Sequence, residues 1–394
     1  MASNLSLGTL AEPRLATPTV NFITVLSIFF TLIGLGAGVY AMIVGHDHLY
    51  GVTREVPWGI LISTYAFFAI TSTGLCLLAA IGHLFGGTPI AHLGNRAVYL
   101  SIATILAAFS VIGLELESPW RMLIYNVISP NFSSNIWWMG TLYGLAVGAM
   151  FIEFFAILTR QWSLAITVGL IGALAEVGAN TNLGAVFATL SARPFWYGAQ
   201  LPVFFLCSAF ASGAAAIILF TYLAHKMRGT EIDADTMSGL QSAGKILALT
   251  LFLLAVATIW RFVTIFTGGN ELATIAANHL LKGPLATNFW LFETVIGLAL
   301  PLLILVGTQM KNVTAMTLAA LMALVGGFFQ RYDLVVAGQQ VPIYYGWSNL
   351  PDYLGYVPSA AELLVVMGGI GVCTTLFLFG ERFFGKVFKA GTHH

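Results

Sequence analysis

The sequence predicts an all-α, polytopic membrane protein of about ten spanning helices, arranged as two related four-helix bundles with two flanking helices. Three observations lead to this prediction. Only 8% of the 394 residues are charged, whereas about a quarter are charged in an average soluble protein. The apolar residues, 58% of the chain, fall into runs of the roughly 20 residues that a spanning helix needs. Similar segments also open corresponding runs in the two halves of the chain.

The predicted spans form one integral membrane domain over residues 1–394. Bundle one comprises the second to fifth spans (57–190), bundle two comprises the sixth to ninth (195–337), and the first and tenth spans flank them. No signal peptide is predicted, because residues 1–20 lack a basic stretch followed by an apolar core. The ten spans are 20–44, 57–85, 96–116, 135–159, 162–190, 195–225, 243–268, 284–309, 311–337 and 357–381.

A weak internal repeat supports the two bundles. "SNIWWMG" (134–140) opens the fourth span and "TNFWLFE" (287–293) opens the eighth. "VPWGILISTYAFF" (56–68) opens the second span and "RPFWYGAQLPVFF" (193–205) opens the sixth. Such duplications are common in membrane proteins and frequently frame their binding sites.

The distribution of lysine and arginine predicts the orientation, because basic residues are retained on the cytoplasmic side. Both termini are therefore expected in the cytoplasm and the longer loops on the outer face. The side assigned to the cytoplasm holds Arg14, Arg96, Arg160, Lys226, Arg228, Lys245, Lys311, Arg382, Lys386 and Lys389. The outer side holds only Arg54, Arg121, Arg193, Lys282 and Arg331.

Ionisable residues inside the spans are candidates for chemistry, because charge in a bilayer is costly. Glu153 and Glu176 in bundle one have no evident basic neighbour in the sequence. A carboxyl group in such surroundings can hold or relay a proton. In bundle two, Arg261 with Glu293, and Arg331 with Asp333, could instead neutralise one another as purely structural pairs. Glu362 stands at the start of the tenth span.

The composition argues against metal and haem sites. The three cysteines are single residues within apolar runs, so no iron–sulfur or zinc spacing is present. Every histidine lies in a loop, at a span end or in the tail, where ligation of a membrane haem is not expected. We therefore predict no haem or metal in this protein. The zero net charge gives no sign of a nucleic-acid partner.

Aromatic and polar residues gather near the outer ends of the spans. Trp58, Tyr65 and Trp138 suit an interfacial aromatic belt. Beside Glu117, Arg121 and Asn182, the same rings would also suit a flat aromatic headgroup with hydrogen-bonding oxygens. A quinone has this shape, so these residues are predicted to line one cavity near the outer face.

The chain resembles the NrfD/PsrC family, the quinone-interacting membrane subunits of polysulfide-reductase-type complexes. The resemblance covers the second to ninth spans, and the length resembles the long branch with DsrP, Hmc-type and alternative-complex-III subunits. The motifs that carry it are "ESPWR" (117–121), "SPNFSSNIWWMG" (129–140), "ARPFWYGAQLPVFF" (192–205), "FWLFETVIGLALPLLIL" (289–305) and "GGFFQRYDLVVAGQ" (326–339).

The resemblance implies a subunit without a cofactor of its own in a respiratory or photosynthetic quinol oxidoreductase complex, including complexes of sulfur metabolism. It implies menaquinone or ubiquinone as substrate, a ferredoxin-like iron–sulfur partner on the outer, periplasmic face, further subunits, and a bacterial or archaeal inner membrane. Glu117, Arg121, Glu153 and Glu176 would act in catalysis and proton exchange. Trp58, Tyr65, Trp138 and Asn182 would bind the quinone. In shorter members a histidine aligns with Tyr65 and a pocket tyrosine aligns with Asn182.

Two other functions stay open from the sequence. A secondary transporter would also combine repeats with buried charges, although such proteins typically break their helices in mid-membrane. A purely structural anchor for a peripheral oxidoreductase would leave the quinone on another subunit. The sequence does not specify the terminal donor or acceptor, or whether protons are pumped.

Overall fold

The computed structural model describes residues 17–85, 88–343 and 351–389, and within them the chain is helical without strands. Ten helices in these residues are long and apolar enough to cross a membrane. The all-α, polytopic fold class is thereby confirmed. Residues 1–16, with Arg14 and most of the stretch examined for a signal peptide, lie outside the described residues. So do residues 344–350 and the tail histidines His393 and His394.

The spanning helices are separated by short loops and three shorter helices. The short helices are α2 (His46–Leu49), α5 (Pro119–Ile128) and α10 (Glu271–Leu281). The eighth span begins as a π-helix, π1 (Asn288–Ala299), and continues as α11 (Leu300–Gly307). The other nine spans are α1 (Pro18–Val44), α3 (Ile60–Leu84), α4 (Ala91–Glu115), α6 (Asn135–Leu158), α7 (Trp162–Ala188), α8 (Gln200–Arg228), α9 (Ala234–Thr267), α12 (Val313–Gln340) and α13 (Ala360–Lys389).

Two helices extend well beyond their predicted spans. Helix α9 begins at Ala234 rather than 243, and α13 continues to Lys389 rather than 381.

Arg96 and Arg228, assigned to loops from the sequence, instead lie buried in α4 and α8. Glu381 of α13 accepts a 2.8 Å hydrogen bond from Arg96 Nε and lies 2.6 Å from Arg228 Nη2. The sequence predicted loop positions for Arg96 and Arg228 because both lie at the ends of apolar runs. In the structure their side chains, with Glu381, join α4, α8 and α13.

Close glycine contacts set the helix packing. In bundle one, α3 packs on α4 and α7, and α6 packs on α7. Helix α3 also packs on α8 of bundle two, where a methyl group at Gly213 would lie 2.3 Å from the Gly74 carbonyl carbon. Helix α1 packs on α13 through Gly34 and Gly368 in the same manner. Small residues allow this approach, as is usual between membrane helices.

Glu362 joins the loop before α3 to the start of α13. The Glu362 amide donates to Ser359 Oγ, and the Ser359 amide donates to Glu362 Oε2 at 2.8 Å, which forms a capping box. The same carboxylate accepts from the Gly51 amide and from the Tyr356 hydroxyl, each at 2.8 Å. Because the Ile60 amide donates to that hydroxyl, the start of α3 is held here too. Glu362 therefore has a structural role.

Candidate functional site

Glu176 lies at the centre of a polar cluster in bundle one. Its side chain is fully buried on α7. The Thr73 hydroxyl donates to Glu176 Oε2 at 2.6 Å, and the Ser72 hydroxyl lies 3.4 Å from Oε1. The Ser72 hydroxyl also donates to the Ser101 carbonyl at 2.9 Å. Two adjacent hydroxyls of α3 thus face a carboxyl group for which the described residues provide no ion pair.

Two further buried polar side chains lie near Glu176 without a hydrogen bond of normal geometry. The Tyr143 hydroxyl is buried in contact with Thr73, near Tyr65 and Glu176, but makes no hydrogen bond of normal geometry among the described residues. Asn180, one turn beyond Glu176 on α7, has neither its Oδ1 nor its Nδ2 satisfied there. Buried polar groups are nearly always hydrogen-bonded, and exceptions indicate an unseen water, ion or ligand. Tyr143 and Asn180 are therefore candidates for contact with a water molecule, an ion or a ligand.

Glu153 and His83 form a second polar pair, nearer the predicted cytoplasmic end of bundle one. Glu153 Oε1 lies 3.1 Å from His83 Nδ1, and both side chains are buried. A methyl group at Gly169 would lie 2.6 Å from Glu153 Oε1, and Glu176 follows about 10 Å farther along α7. Glu153 and Glu176 therefore lie at different depths in bundle one. They lie one below the other.

Glu117 and Arg121 are exposed on the side predicted to face outward, immediately before and within the first turn of α5. No hydrogen bond or ion pair joins either side chain to Tyr65, Trp138 or Asn182 in the described part of the protein. Burial lowers the pKa of His46, and the nearby charge of Glu117 acts in the opposite direction. The "ESPWR" segment is thus a surface feature, separate from the buried cluster.

Trp138 and Asn182 are engaged elsewhere. Trp138 is 39% exposed, and its indole Nε1 donates to the Phe132 carbonyl at 2.9 Å. Asn182 Nδ2 donates to the Asn135 carbonyl and so helps to hold α7 against the start of α6. The structure brings Tyr65 together with Glu176, but it does not gather Tyr65, Glu117, Arg121, Trp138 and Asn182 in one place.

Trp58 is packed at the seam between the bundles. It precedes α3, stacks on Trp196 with ring centroids 5.6 Å apart, and meets the edge of Phe187 at 5.3 Å. Both the backbone amide and the carbonyl of Trp58 bond the side chain of Gln339, at 3.0 and 2.8 Å. The Trp58 ring therefore belongs to an interlocked aromatic cluster.

Bundle two contains a smaller buried polar cluster around Glu293. Gln330 Nε2 donates to Glu293 Oε1 at 3.3 Å, and Arg331 Nη1 donates to Gln330 Oε1 at 2.6 Å. Arg331 Nη2 donates to the Ser208 hydroxyl. A cavity of about 20 Å³ lies between these side chains, which is room for one water molecule.

In the part of the chain that the structure describes, no contact of ion-pair length joins Arg261 to Glu293 or Arg331 to Asp333, although the charges of Arg261 and Glu293 act on one another. Within the described residues, Arg261 donates to the Phe195 carbonyl at 3.2 Å and stacks over that ring. Neither Asp333 carboxylate oxygen has a hydrogen-bond partner of normal geometry there. Glu293 itself lies in π1, a helix type that occurs frequently at functional sites. The sequence analysis did not predict this π-helix.

Histidine, cysteine, aspartate and glutamate nowhere form a group of three that could hold a metal ion within residues 17–85, 88–343 and 351–389. The three cysteines are free there. The absence of haem and metal from this protein stays a prediction.

Comparisons with known proteins are consistent with one family. A sequence model described as "Polysulphide reductase, NrfD" matches residues 48–343. The protein is 23% identical over 372 residues to the Hdr-like menaquinol oxidoreductase integral membrane subunit of Archaeoglobus fulgidus, with 89% of its own length and 90% of that relative covered. It is 22% identical to a selenate reductase subunit of Mesobacillus selenatarsenatis, with 90% and 92% covered. It is 25% identical to a polysulfide reductase chain of Wolinella succinogenes, with 73% and 95% covered.

Proposed function

Because this chain belongs to the polysulphide reductase NrfD family, we propose that it is the quinone-binding membrane subunit of an electron-transfer complex. The relatives support this proposal, since their names describe a menaquinol oxidoreductase subunit, a selenate reductase subunit and a polysulfide reductase chain. We place the quinone headgroup in bundle one, beside Tyr65, Tyr143 and Asn180, on the outer side of Glu176.

The observation that carries this placement is the set of unsatisfied groups on Tyr143 and Asn180. A quinone headgroup is flat and neutral and presents two carbonyl acceptors. The Tyr143 hydroxyl and the Asn180 amide can each donate a hydrogen bond to such an acceptor. Tyr65, which is 4% exposed, would provide an aromatic wall. The residues present therefore fit the group.

The proton chemistry of a quinone gives the carboxyl groups their role. A bound quinone takes up protons when it is reduced and releases them when the quinol is oxidised. Glu176 can accept or return such a proton, because it is buried with two hydroxyls aimed at it and no ion pair in the described residues. The Glu153–His83 pair lies about 10 Å closer to the predicted cytoplasmic side. Water molecules between the two carboxyl groups would complete a path.

The outer face provides a surface for an iron–sulfur partner. The exposed Glu117 immediately precedes α5, and α5 carries the exposed Arg121 among exposed apolar side chains, including Trp120 at 54% and Leu123 at 75% exposure. An apolar surface with charged neighbours is typical of a protein-binding site. The distribution of lysine and arginine supports a periplasmic position for this face, in a bacterial or archaeal inner membrane with both termini in the cytoplasm.

The test is quinol oxidation, or quinone reduction, by the purified complex with matched variants. Tyr143→Phe and Asn180→Leu should each lower the amount of co-purified quinone and raise KM for added quinol. Tyr197→Phe is the matched control, because that tyrosine is 61% exposed. If both buried-site variants assemble normally and keep the wild-type quinone content and KM, the quinone does not bind at this position.

A secondary transporter is the second candidate, and the π-helix favours it. Transporters place substrates at interrupted helices. Helix π1 carries Glu293, which lines the small cavity together with Arg331, and Pro301 follows two residues after the end of π1. Reconstitution distinguishes the two functions. A transporter moves a solute across vesicles without a redox partner, whereas the proposed subunit requires an electron donor and acceptor.

A further inference from the structure

One sequence motif folds as an α-helix in bundle one and as a π-helix in bundle two. The segment "SNIWWMGTLYGLA" (134–146) opens α6, and "TNFWLFETVIGLA" (287–299) opens π1. The two segments have equal length and share Asn, Trp, Thr, Gly, Leu and Ala at matching positions. Both begin alike, because the indole Nε1 groups of Trp137 and Trp290 donate to backbone carbonyls of the preceding short helices, α5 and α10. The motif is therefore compatible with both helix types.

The two helix types bury different faces of the motif. A π-helix turns less per residue than an α-helix, because its hydrogen bonds span five residues instead of four. Of the matching leucines, Leu145 is 53% exposed and Leu298 is 8% exposed. The matching alanines show the reverse, since Ala146 is fully buried and Ala299 is exposed. A change of π1 to an α-helix would thus rotate most of its side chains about the helix axis.

Such a rotation would move the carboxyl group of Glu293. In π1 this side chain is buried, accepts a hydrogen bond from Gln330 and lines the small cavity with Arg331. The matching residue of α6 is Gly140, where a methyl group would lie 3.1 Å from the Met122 side chain of α5. An α-helical eighth span would therefore turn Glu293 away from Arg331 and towards α10, the short helix that corresponds to α5.

Charged groups of α9 and α12 favour the present position of Glu293. The charges of Arg261 and Arg331 attract its ionised carboxyl group, and Asp333 would oppose them if it were ionised as well. Protonation of Glu293 removes the attraction to both guanidinium groups. The protonated side chain is therefore held less firmly in the cavity than the ionised one.

Thr294 would gain a hydrogen bond in the α-helical form. In α6 the Thr141 hydroxyl donates to the Trp137 carbonyl at 2.9 Å, the usual bond of a threonine in a membrane helix. The matching Thr294 hydroxyl is buried without a hydrogen bond of normal geometry among the described residues. Because Thr294 follows Trp290 by four residues, an α-helix would place the Trp290 carbonyl within its reach. This missing bond favours conversion to the α-helix.

Pro301 acts in the opposite direction. Its counterpart in α6 is Gly148. In a continuous α-helix, Pro301 would lack an amide and its ring would clash with the Gly297 carbonyl, four residues earlier. The bond from the Leu300 amide to the Val295 carbonyl spans five residues and ends just before the proline. Pro301 therefore favours the π-helix, and no proline stands at the matching position of α6.

We propose that the eighth span converts between the π-helix and an α-helix like α6, and so moves the Glu293 carboxyl group between the cavity beside Arg331 and the side of α10. The carboxyl group would exchange its proton at the cavity in the first form and at the predicted outer end of bundle two in the second. This inference goes beyond the proposed function, because it holds whether or not bundle one binds a quinone.

The test is electron cryo-microscopy of the purified complex. Each map shows the helix type of residues 288–299 and the direction of the side chain at position 293. Pro301→Ala supplies the missing amide and should shift the ratio of α to π form about a hundredfold towards α, the effect of one interior proline. Glu293→Gln has the charge of the protonated side chain and should shift the ratio in the same direction. Pro18→Ala is the matched control, because that proline lies in the first turn of α1, where its missing amide costs no hydrogen bond.

The maps decide the question independently of quinone binding, which is measured separately. An α-helical eighth span with the side chain at position 293 facing α10, in either variant but not in Pro18→Ala, supports the proposal. A π-helix that persists in both variants overturns it. So does an α-helix in which this side chain stays beside Arg331. If Pro301→Ala does not assemble, the map of Glu293→Gln decides alone.

Discussion

Glu153 and His83 meet at 3.1 Å between Oε1 and Nδ1, buried on neighbouring helices of bundle one. The pair adjoins Gly169 and Gly94, where a methyl group would lie 2.6 Å from Glu153 Oε1 and 2.7 Å from His83 Nε2, respectively. His83 Nε2 is itself buried and has no partner in the described residues. A carboxyl–imidazole pair with one free ring nitrogen can accept a proton on one side and release it on the other.

We predict that Glu153→Gln and Glu176→Gln together uncouple proton movement from quinone turnover. Each substitution removes a carboxyl group that can exchange a proton, and general acid–base steps contribute about 10²–10⁴-fold to rates. The measurement is the pH change that accompanies quinol oxidation by the complex in sealed vesicles. Glu55→Gln, on the exposed outer loop, is the control. If the double variant keeps both its turnover and its pH change, these carboxyl groups are structural.

A second prediction concerns Glu117. Because its side chain is exposed on the face predicted to be periplasmic and has no hydrogen bond to Tyr65 or Glu176, Glu117→Gln should affect partner binding more than the proton step. We expect weaker retention of the iron–sulfur subunit at high ionic strength, by about threefold to tenfold, with the loss of one interfacial charge. Quinol turnover of complexes that stay assembled should change by less than tenfold. A loss of about a hundredfold or more in assembled complex would instead place Glu117 in the proton chemistry.

The fold followed from the sequence because hydrophobic length is a strong constraint on membrane helices. The sequence also predicts Glu153 and Glu176 as site residues, because a charged residue is conspicuous within an apolar run. Neither Tyr143 nor Asn180 stands out in the sequence, because neutral polar residues change hydropathy little. Asn180 lies four residues after Glu176 and so shares its helix face. Asn182, chosen instead, points to another face.

Other features have no clear signature in the sequence. The π-helix at Asn288–Ala299 depends on how the eighth span packs against α12. The crossing point is set by Gly297 and Gly326, whose backbones approach so closely that neither position has room for a methyl group. The Arg96–Glu381–Arg228 cluster joins residues far apart in the sequence. Spacing along one sequence does not reveal such long-range pairs.

A third prediction is a pH dependence that arises from His279 on α10. Burial lowers the pKa of His279 below its ordinary value of 6.5, although its bond to Gln340 acts in the opposite direction. The ring also stacks on Tyr353, with centroids 4.0 Å apart. Because the pKa of His279 is lower in the folded protein, the unfolded protein binds this proton at a higher pH than the folded protein does as the pH falls. Stability is therefore retained above pH 6.5 and lost as the pH falls from 6.5 towards the lower, folded pKa.

The measurement is the thermal midpoint of the purified protein in detergent between pH 7.5 and pH 5. One proton contributes at most about 1.4 kcal/mol per pH unit. His279→Gln should flatten the acid side of this profile. His48→Gln is the control, because the His48 side chain is 68% exposed. If the thermal midpoint of His279→Gln falls at acid pH as much as that of the wild type, other groups cause the loss of stability.

The last prediction concerns the buried cluster that joins α4, α8 and α13. Glu381 is 1% exposed, and its carboxylate contacts both Arg96 and Arg228. Glu381→Gln removes the negative charge that both guanidinium groups contact, and breaking a buried ion pair by deleting one partner costs about 3–5 kcal/mol. We expect a lower thermal midpoint in detergent and earlier proteolysis of the segment after α12, because α13 loses its ion pairs to α4 and α8. Glu231→Gln, exposed between α8 and α9, should leave both unchanged.

The double variant Arg96→Leu with Glu381→Leu tests the cause, since it removes one pair of opposite charges together. If charge imbalance is responsible, this variant should recover part of the stability that Glu381→Gln loses. If the single and double variants are equally unstable, packing around Glu381 determines the loss and the ion pairs contribute little.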